Sequence, residues 1–362
     1  MEGLAIIMLE FYKGKRIFIT GHTGFKGTWL TRILLAAGAD ITGYALKPPT
    51  APSLFELTDT QKHIHSVEAD IADREKLIKS VKNVKPDIVF HLAAQPLVRL
   101  SYKEPAATYS TNVMGTVNIL EAVRQCYSVK SFVNVTTDKV YENKEWCWGY
   151  RENENLCGFD PYSNSKSCSE LVTYSYRNSF FAGFESPAIS TARSGNVIGG
   201  GDYAEDRIIP DCIRAVQNNK PIVLRNPGST RPYQHVLECL SGYLLLAQAQ
   251  YEDKKLEGAY NFGPDDESCV TTGGLTDIFC KAWGNGVQWG SKDENGPHEA
   301  NFLKLDNTKA KNMLHWNPHW KIKNAVEKVV EWEKNIAAGI SAGEITDKQI
   351  KEYFTDEYNI RF

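Results

Sequence analysis

The residues of this chain best suited to chemistry are a hydroxyl, a carboxylate and an amine in a row, Thr137, Asp138 and Lys139, one residue after Ser131-Phe132-Val133-Asn134-Val135. That preceding run has the β-branched and aromatic bias of a buried strand, and open α/β sheets take ligands outside the carboxyl ends of their strands. Further along, Tyr162 precedes Lys166 by four positions, which puts a phenol and an amine on one helix face. A phenol with pKa about 10 is a weak base at neutral pH, but a nearby cation lowers an acid's pKa by roughly 1 to 3 units. The pair therefore suits removal of a proton from an alcohol. The same Y-x-x-x-K spacing recurs at Tyr251 and Lys255, within a charged stretch with no glycine turn or strand-end hydroxyl beside it. In a chain with 17 tyrosines the spacing is weak evidence alone, and its context decides.

That context begins with a strand, Lys15 to Thr20, followed by Gly21-His22-Thr23-Gly24-Phe25-Lys26-Gly27 and an apolar helix through Trp29-Leu30 and Leu34-Leu35. Strand, glycine turn and helix in this order make a dinucleotide site, because glycine lets the backbone approach a pyrophosphate and the helix start offers free N–H groups. Asp40 to Leu46 reads as a second strand, His65 to Ala69 as a weaker third, Asp87 to Ala94 as a buried fourth, and Pro187 to Ala192 as another. Helices are expected at 73–83, 105–126 and from Asp160 to about Phe181; His91 reads as packing rather than as a base. The pattern predicts an α/β fold, a Rossmann-type doubly wound parallel sheet over residues 1–194, with segments near 222–262 returning to it. A smaller, mixed α/β substrate part is expected over 195–362. It holds short strands at 259–262, 287–289 and 302–305, helices at 273–283, 307–314 and 322–337, and a tail from Gly343 that covers a surface or a partner. Glu142 to Gly158 is expected as a surface loop near the substrate.

The glycine spacing is G-x-x-G-x-x-G rather than G-x-G-x-x-G, and it resembles the extended short-chain dehydrogenase/reductase family. Five blocks, 21–27, 46–50, 91–99, 137–141 and 231–238, resemble its nucleotide-sugar 4,6-dehydratase branch, and the members acting on CDP-glucose most. The resemblance implies NAD held by Gly21, Thr23, Gly24, Phe25, Lys26, Gly27, Asp70, Ile71, Leu92, Ala93, Ala94, Asn112, Tyr162 and Lys166, with Asn112 supporting the site backbone from within a helix. Lys47 stands where NAD sites usually carry an acid, which leaves NADP open. It implies substrate contacts from Gln95, Asn196, Arg207, Arg231 and Tyr233, no metal, and a homodimer built on the helices of Asn112 and Tyr162.

The implied chemistry runs in three steps. Tyr162 takes the proton of the sugar C4 hydroxyl, with Thr137 hydrogen-bonded to the same oxygen. The 4-ketone then acidifies C5–H, and Lys139 as base and Asp138 as acid remove water across C5 and C6. Hydride finally returns to C6. An ammonium of pKa about 10.4 is a poor base, so Lys139 stands equally as a stabiliser of the enolate. A 4-epimerase would share Thr137, Tyr162 and Lys166, but it has no use for Asp138 and Lys139. Nothing in the residues selects CDP over UDP or dTDP.

Composition narrows the partners. A net charge of −3 over 362 residues makes no electrostatic case for nucleic acid. Eight cysteines without a C-x-x-C pair read as reduced thiols. The apolar run Leu4 to Leu9 is too short to span a membrane, so a cytoplasmic protein is expected. Met8 is an alternative start, in which case residues 1–12 add nothing to function.

Overall fold

The structure is a computed structural model that describes residues 9–292 and 301–356. Seven parallel strands form the main sheet: β1 (Arg16–Thr20), β2 (Asp40–Ala45), β3 (His65–Glu68), β4 (Ile88–His91), β5 (Ser131–Val135), β6 (Ala188–Ser194) and β7 (Ala259–Phe262). Their order is β7-β6-β5-β4-β1-β2-β3. β4, β5 and β6 are buried throughout, as strands covered on both faces must be. Alternate side chains serve opposite layers. Ile17 and Ile19 join a core with the helices Phe25–Ala36 and Val236–Glu252, whereas Phe18 joins one with Arg74–Val84 and Gly115–Arg124.

The winding direction changes at β1. Thr20 is in register with Tyr44 of β2 on one side and His91 of β4 on the other, so the segments leaving β1 and β4 flank a crevice. A third core lies outside the sheet, where Ile208–Gln217, Thr272–Trp283 and Ile322–Ala337 pack together. The short strand Ile222–Leu224 pairs with Trp289–Ser291 out here. Of the segments expected to return to the sheet, only Val236–Glu252 and Ala259–Phe262 do so.

Several sequence expectations change in detail. The helix foreseen over 105–126 is broken into Pro105–Tyr109, a π-helical turn Ser110–Met114 and Gly115–Arg124. The wide turn holds Asn112, whose side chain has backbone partners elsewhere, and π-turns of this kind cluster at functional sites. The strand expected at 302–305 is reduced to isolated bridges, Thr230 with Phe302 and Tyr150 with Leu305. Residues expected to form a polar tail make the helix Ala342–Asp356, which packs on Phe25–Ala36 and Ile322–Ala337. Residues 1–8, and with them most of the apolar opening and Met8, lie outside the described residues. Tyr12, however, is fully buried and donates its hydroxyl to Leu244 O, so the segment just after Met8 belongs to the fold. All eight cysteines are unbridged. Among the described residues, no helix is long and apolar enough to cross a membrane.

Candidate active site

One cleft of about 2300 Å³ runs along the carboxyl ends of β1, β4, β5 and β6. The glycine turn lies at one end. Gly21 has φ +77, and a Cβ there would stand 2.7 Å from Ala93 N; a Cβ on Gly27 would stand 2.1 Å from Gly21 O. Only glycine permits so close a passage between turn, helix and β4. The helix Phe25–Ala36 starts without a side-chain cap, which leaves its first N–H groups for an anion. Gly21, Thr23, Gly24, Phe25, Lys26, Gly27, Asp70, Ile71, Leu92, Ala93 and Ala94 all border this part. The uncapped helix start and the backbone-tight turn fit a dinucleotide.

Asn112 does not border the cleft. Its amide instead spans Gln95, accepting from Gln95 N at 2.8 Å and donating to Gln95 O at 3.1 Å, and it donates to Ser165 Oγ at 2.9 Å. It thus ties the segment after β4 to the helix Pro161–Phe180. Gln95, expected at the substrate, borders the cleft, but its amide bonds its own loop at Leu97 and the helix Pro105–Tyr109 at Thr108. Its side chain is a loop brace rather than a poised ligand group.

At the centre, Thr137 caps the turn Asp138–Val140 after β5. Thr137, Lys139, Tyr162 and Lys166 border the cleft, whereas Asp138 is fully covered. Asp138 Oδ1 accepts from Thr137 Oγ1 at 2.9 Å and from Lys139 Nζ at 3.1 Å, while its Oδ2 is buried with no hydrogen-bond partner. Lys139 Nζ also donates to Asn196 Oδ1 at 3.3 Å. Asn196, expected as a substrate contact, is therefore also joined to the triplet.

The Tyr162 phenol is pushed up to about 12, chiefly by burial, against the pull of the Thr137 hydroxyl and the Arg207 guanidinium. Lys166 is pushed down to about 8 by burial and then by Lys26, with Glu170 acting the other way. The Lys166 amine donates to Val135 O at 3.1 Å. The expected lowering of the phenol by Lys166 is thus not realised in this arrangement: burial outweighs the cations present. Lys26 also differs from expectation. Its amine reaches Ser194 Oγ at 2.8 Å, on the side of β6, and adds positive field near Lys166.

The far wall carries Arg207, Arg231 and Tyr233. Arg231 donates to Thr230 O at 3.1 Å, Tyr233 Oη is 3.1 Å from Thr272 Oγ1, and Arg207 lies 4.0 Å from Asp202. Sequence reasoning missed two more arginines here. Arg99 and Arg225 also border the cleft and meet at Asp206 Oδ1, at 3.7 and 2.8 Å. Arg99 lay within a block that resembled the dehydratases, and its charge beside a predicted ligand loop was the available signal. Among the described residues no group of histidine, cysteine, aspartate and glutamate side chains could hold a metal ion.

A doubly wound parallel sheet, with a tyrosine and a lysine one helical turn apart beside a strand-end threonine, defines an extended short-chain dehydrogenase/reductase. The model of the GDP-mannose 4,6 dehydratase family matches residues 18–329, and the chain belongs to that family. It is 50% identical over 351 residues to a CDP-glucose 4,6-dehydratase of Salmonella typhimurium, covering 96% of this chain and 98% of that one. It is 30% identical to a dTDP-D-glucose 4,6-dehydratase of Dictyostelium discoideum, over 70% of this chain and 59% of that one. The fold is shared with a dTDP-glucose 4,6-dehydratase of Bacillus anthracis solved with NAD, at TM-score 0.75 and 20% identity, covering 90% of this chain and 99% of that one.

Proposed function

We propose that this chain converts CDP-glucose to CDP-4-keto-6-deoxyglucose and water, using NAD, as a step of deoxysugar biosynthesis. The observation that carries the reading is the Asp138–Lys139 pair, 3.1 Å apart, on the same turn as the Thr137 hydroxyl that sits against Tyr162. Oxidation alone needs no such pair. The 50% identity to a CDP-glucose 4,6-dehydratase supports the nucleotide.

Bound NAD supplies the hydride acceptor for C4 and the donor for C6. Lys166, with the positive charge that bound NAD would add, stabilises the Tyr162 phenolate, and the phenolate takes the C4 hydroxyl proton while Thr137 orients that oxygen. Lys139, whose amine faces the cleft, serves at C5, as base or as stabiliser of the enolate. Asp138 supplies the proton to the C6 hydroxyl, which requires its fully covered carboxyl to become open to the cleft. Arg207, Arg231, Arg99 and Arg225 offer planar donor forks to the diphosphate. NAD is favoured over NADP because Glu68 stands 3.9 Å from Lys47 and offsets its charge where a further phosphate would sit. Met114, Leu171 and Tyr174 leave apolar surface on the helices of Asn112 and Tyr162, which supports pairing of two chains there in the cytoplasm.

The test is incubation with CDP-glucose and detection of a 4-keto-6-deoxy product. Turnover of dTDP- or UDP-glucose in its place would move the nucleotide assignment and keep the chemistry. A CDP-hexose epimerised at C4, with no ketone released, would replace the reading with that of a 4-epimerase.

A further inference from the structure

The side chains of Glu170 and Arg193, each 3% exposed, form an ion pair that the chemistry above leaves unused. Arg193 Nη2 lies 2.8 Å from Glu170 Oε2 and Nε lies 3.0 Å from Oε1, a two-bonded fork. Neither residue borders the catalytic cleft. Both nevertheless hold its turn. Glu170 Oε1 accepts from the hydroxyl of Thr136, immediately before Thr137, and Arg193 Nη1 donates to Tyr141 Oη at 2.8 Å, immediately after Val140. Tyr141 Oη donates in turn to Asn261 Oδ1 at 2.7 Å on β7, and Thr191 Oγ1 on β6 donates to Glu170 Oε2 at 2.6 Å. The turn Asp138–Val140 is thus fastened at both ends to one rigid pair, and Glu170 sits one helical turn beyond Lys166.

We propose that Glu170 and Arg193 are positioning residues that fix the Asp138–Lys139 turn relative to Tyr162, and that the elimination step depends on them. The proposal rests on the dehydratase reading. Burying two charges gains little stability over an apolar packing of the same shape, which makes the pair a poor choice for holding the fold alone. Five donors in a rigid plane are well matched to fixing a loop. Tyr162 and Lys166 stand on the helix Pro161–Phe180, which keeps its own backbone hydrogen bonds when a fastening of the turn is cut, so loosening the turn displaces Asp138 and Lys139 more than the oxidising pair.

Tyr141→Phe and Thr136→Val each cut one fastening and leave the ion pair whole. Each is expected to lower kcat for product formation roughly 100-fold, the scale of a misplacement of about 1 Å, with KM for the sugar nucleotide unchanged. Reduced cofactor should build up during turnover in both variants, and Thr136→Ser, which keeps the hydroxyl, should restore the rate. Glu170→Gln should show the same split in whatever fraction folds, judged by circular dichroism. Variants that lose melting temperature but keep wild-type kcat and accumulate no reduced cofactor would overturn the proposal, leaving the pair a purely structural one. The comparison is read on whichever NDP-glucose the unaltered enzyme dehydrates, so a wrong nucleotide leaves it intact. An unaltered enzyme that only epimerises would remove the reading beneath it and the proposal as well.

Discussion

On the proposed reading Lys139 separates dehydration from oxidation, and its amine has two oxygen partners, Asp138 and Asn196. Lys139→Ala should still reduce the cofactor on adding substrate, yet form product about 10² to 10⁴ times more slowly, as expected when a general acid–base group is lost. Absorbance of the reduced nicotinamide, followed beside product release, checks this. The pH response belongs to Lys166. Burial and then Lys26 hold it down to about 8, so its ammonium is lost as pH rises through that value, and kcat/KM should fall with it. Lys26→Met removes a like charge and favours the ammonium, which raises the pKa of Lys166 and should move the falling limb of the pH profile to higher pH. A limb left where it was would show that Lys26 does not act on Lys166. Thr137, Tyr162 and Lys166 were legible in the chain because the chemistry fixes both their types and their spacing. The pairing of Arg193 with Glu170 was not, because it joins residues 23 positions apart through the fold. Its trace in the sequence is an arginine in an otherwise apolar and small-residue strand, where a charge must have a partner.

At the level of elements, the strands were readable because a buried parallel strand is a short β-branched run, and the glycine turn because its backbone leaves room for nothing else. The π-turn around Asn112 was not, since its cause is tertiary: one amide satisfying the N–H and C=O of Gln95. Asn112→Ala would leave that partly buried pair without its partner and should cost about 1 kcal/mol, measured by the denaturant midpoint. The glycine turn offers a harsher case. Gly27→Ala places a methyl against Gly21 O and the Cα of His22, and neither is the end of a flexible side chain. Loss of cofactor binding is the expected result, measured by titrating NAD into the folded variant. Retention of full affinity would mean that the turn yields more readily than its packing implies.

Over the whole molecule, two buried carboxyls couple the outer elements to pH. Glu238 accepts from the backbone N–H groups of His319 and Trp320 and from the Tyr353 hydroxyl, and burial pushes it up to about 7. Glu333 is pushed up to about 7 for the same reason. Both folded values exceed the ordinary 4.5, so the stability these groups contribute is full below about 4.5 and is lost as pH rises through about 7. Glu238→Gln should flatten the dependence of melting temperature on pH across that window; an unchanged slope would place the titration elsewhere.

The helix Ala342–Asp356 gives the molecule a constraint in time. It covers the outer side of Phe25–Ala36, the helix that starts at the glycine turn, and Arg32 Nε meets Asp347 Oδ1 at 3.0 Å across 315 positions of chain. On a ribosome adding roughly 5 to 20 residues per second, the first helix therefore waits about 15 to 60 s for its cover. Throughout that interval the nascent cofactor layer presents apolar surface to whatever is nearby. This layer is thus completed only after residues 342–356 have been made, and chains arrested short of this helix should be cut by protease within the segment that holds the glycine turn.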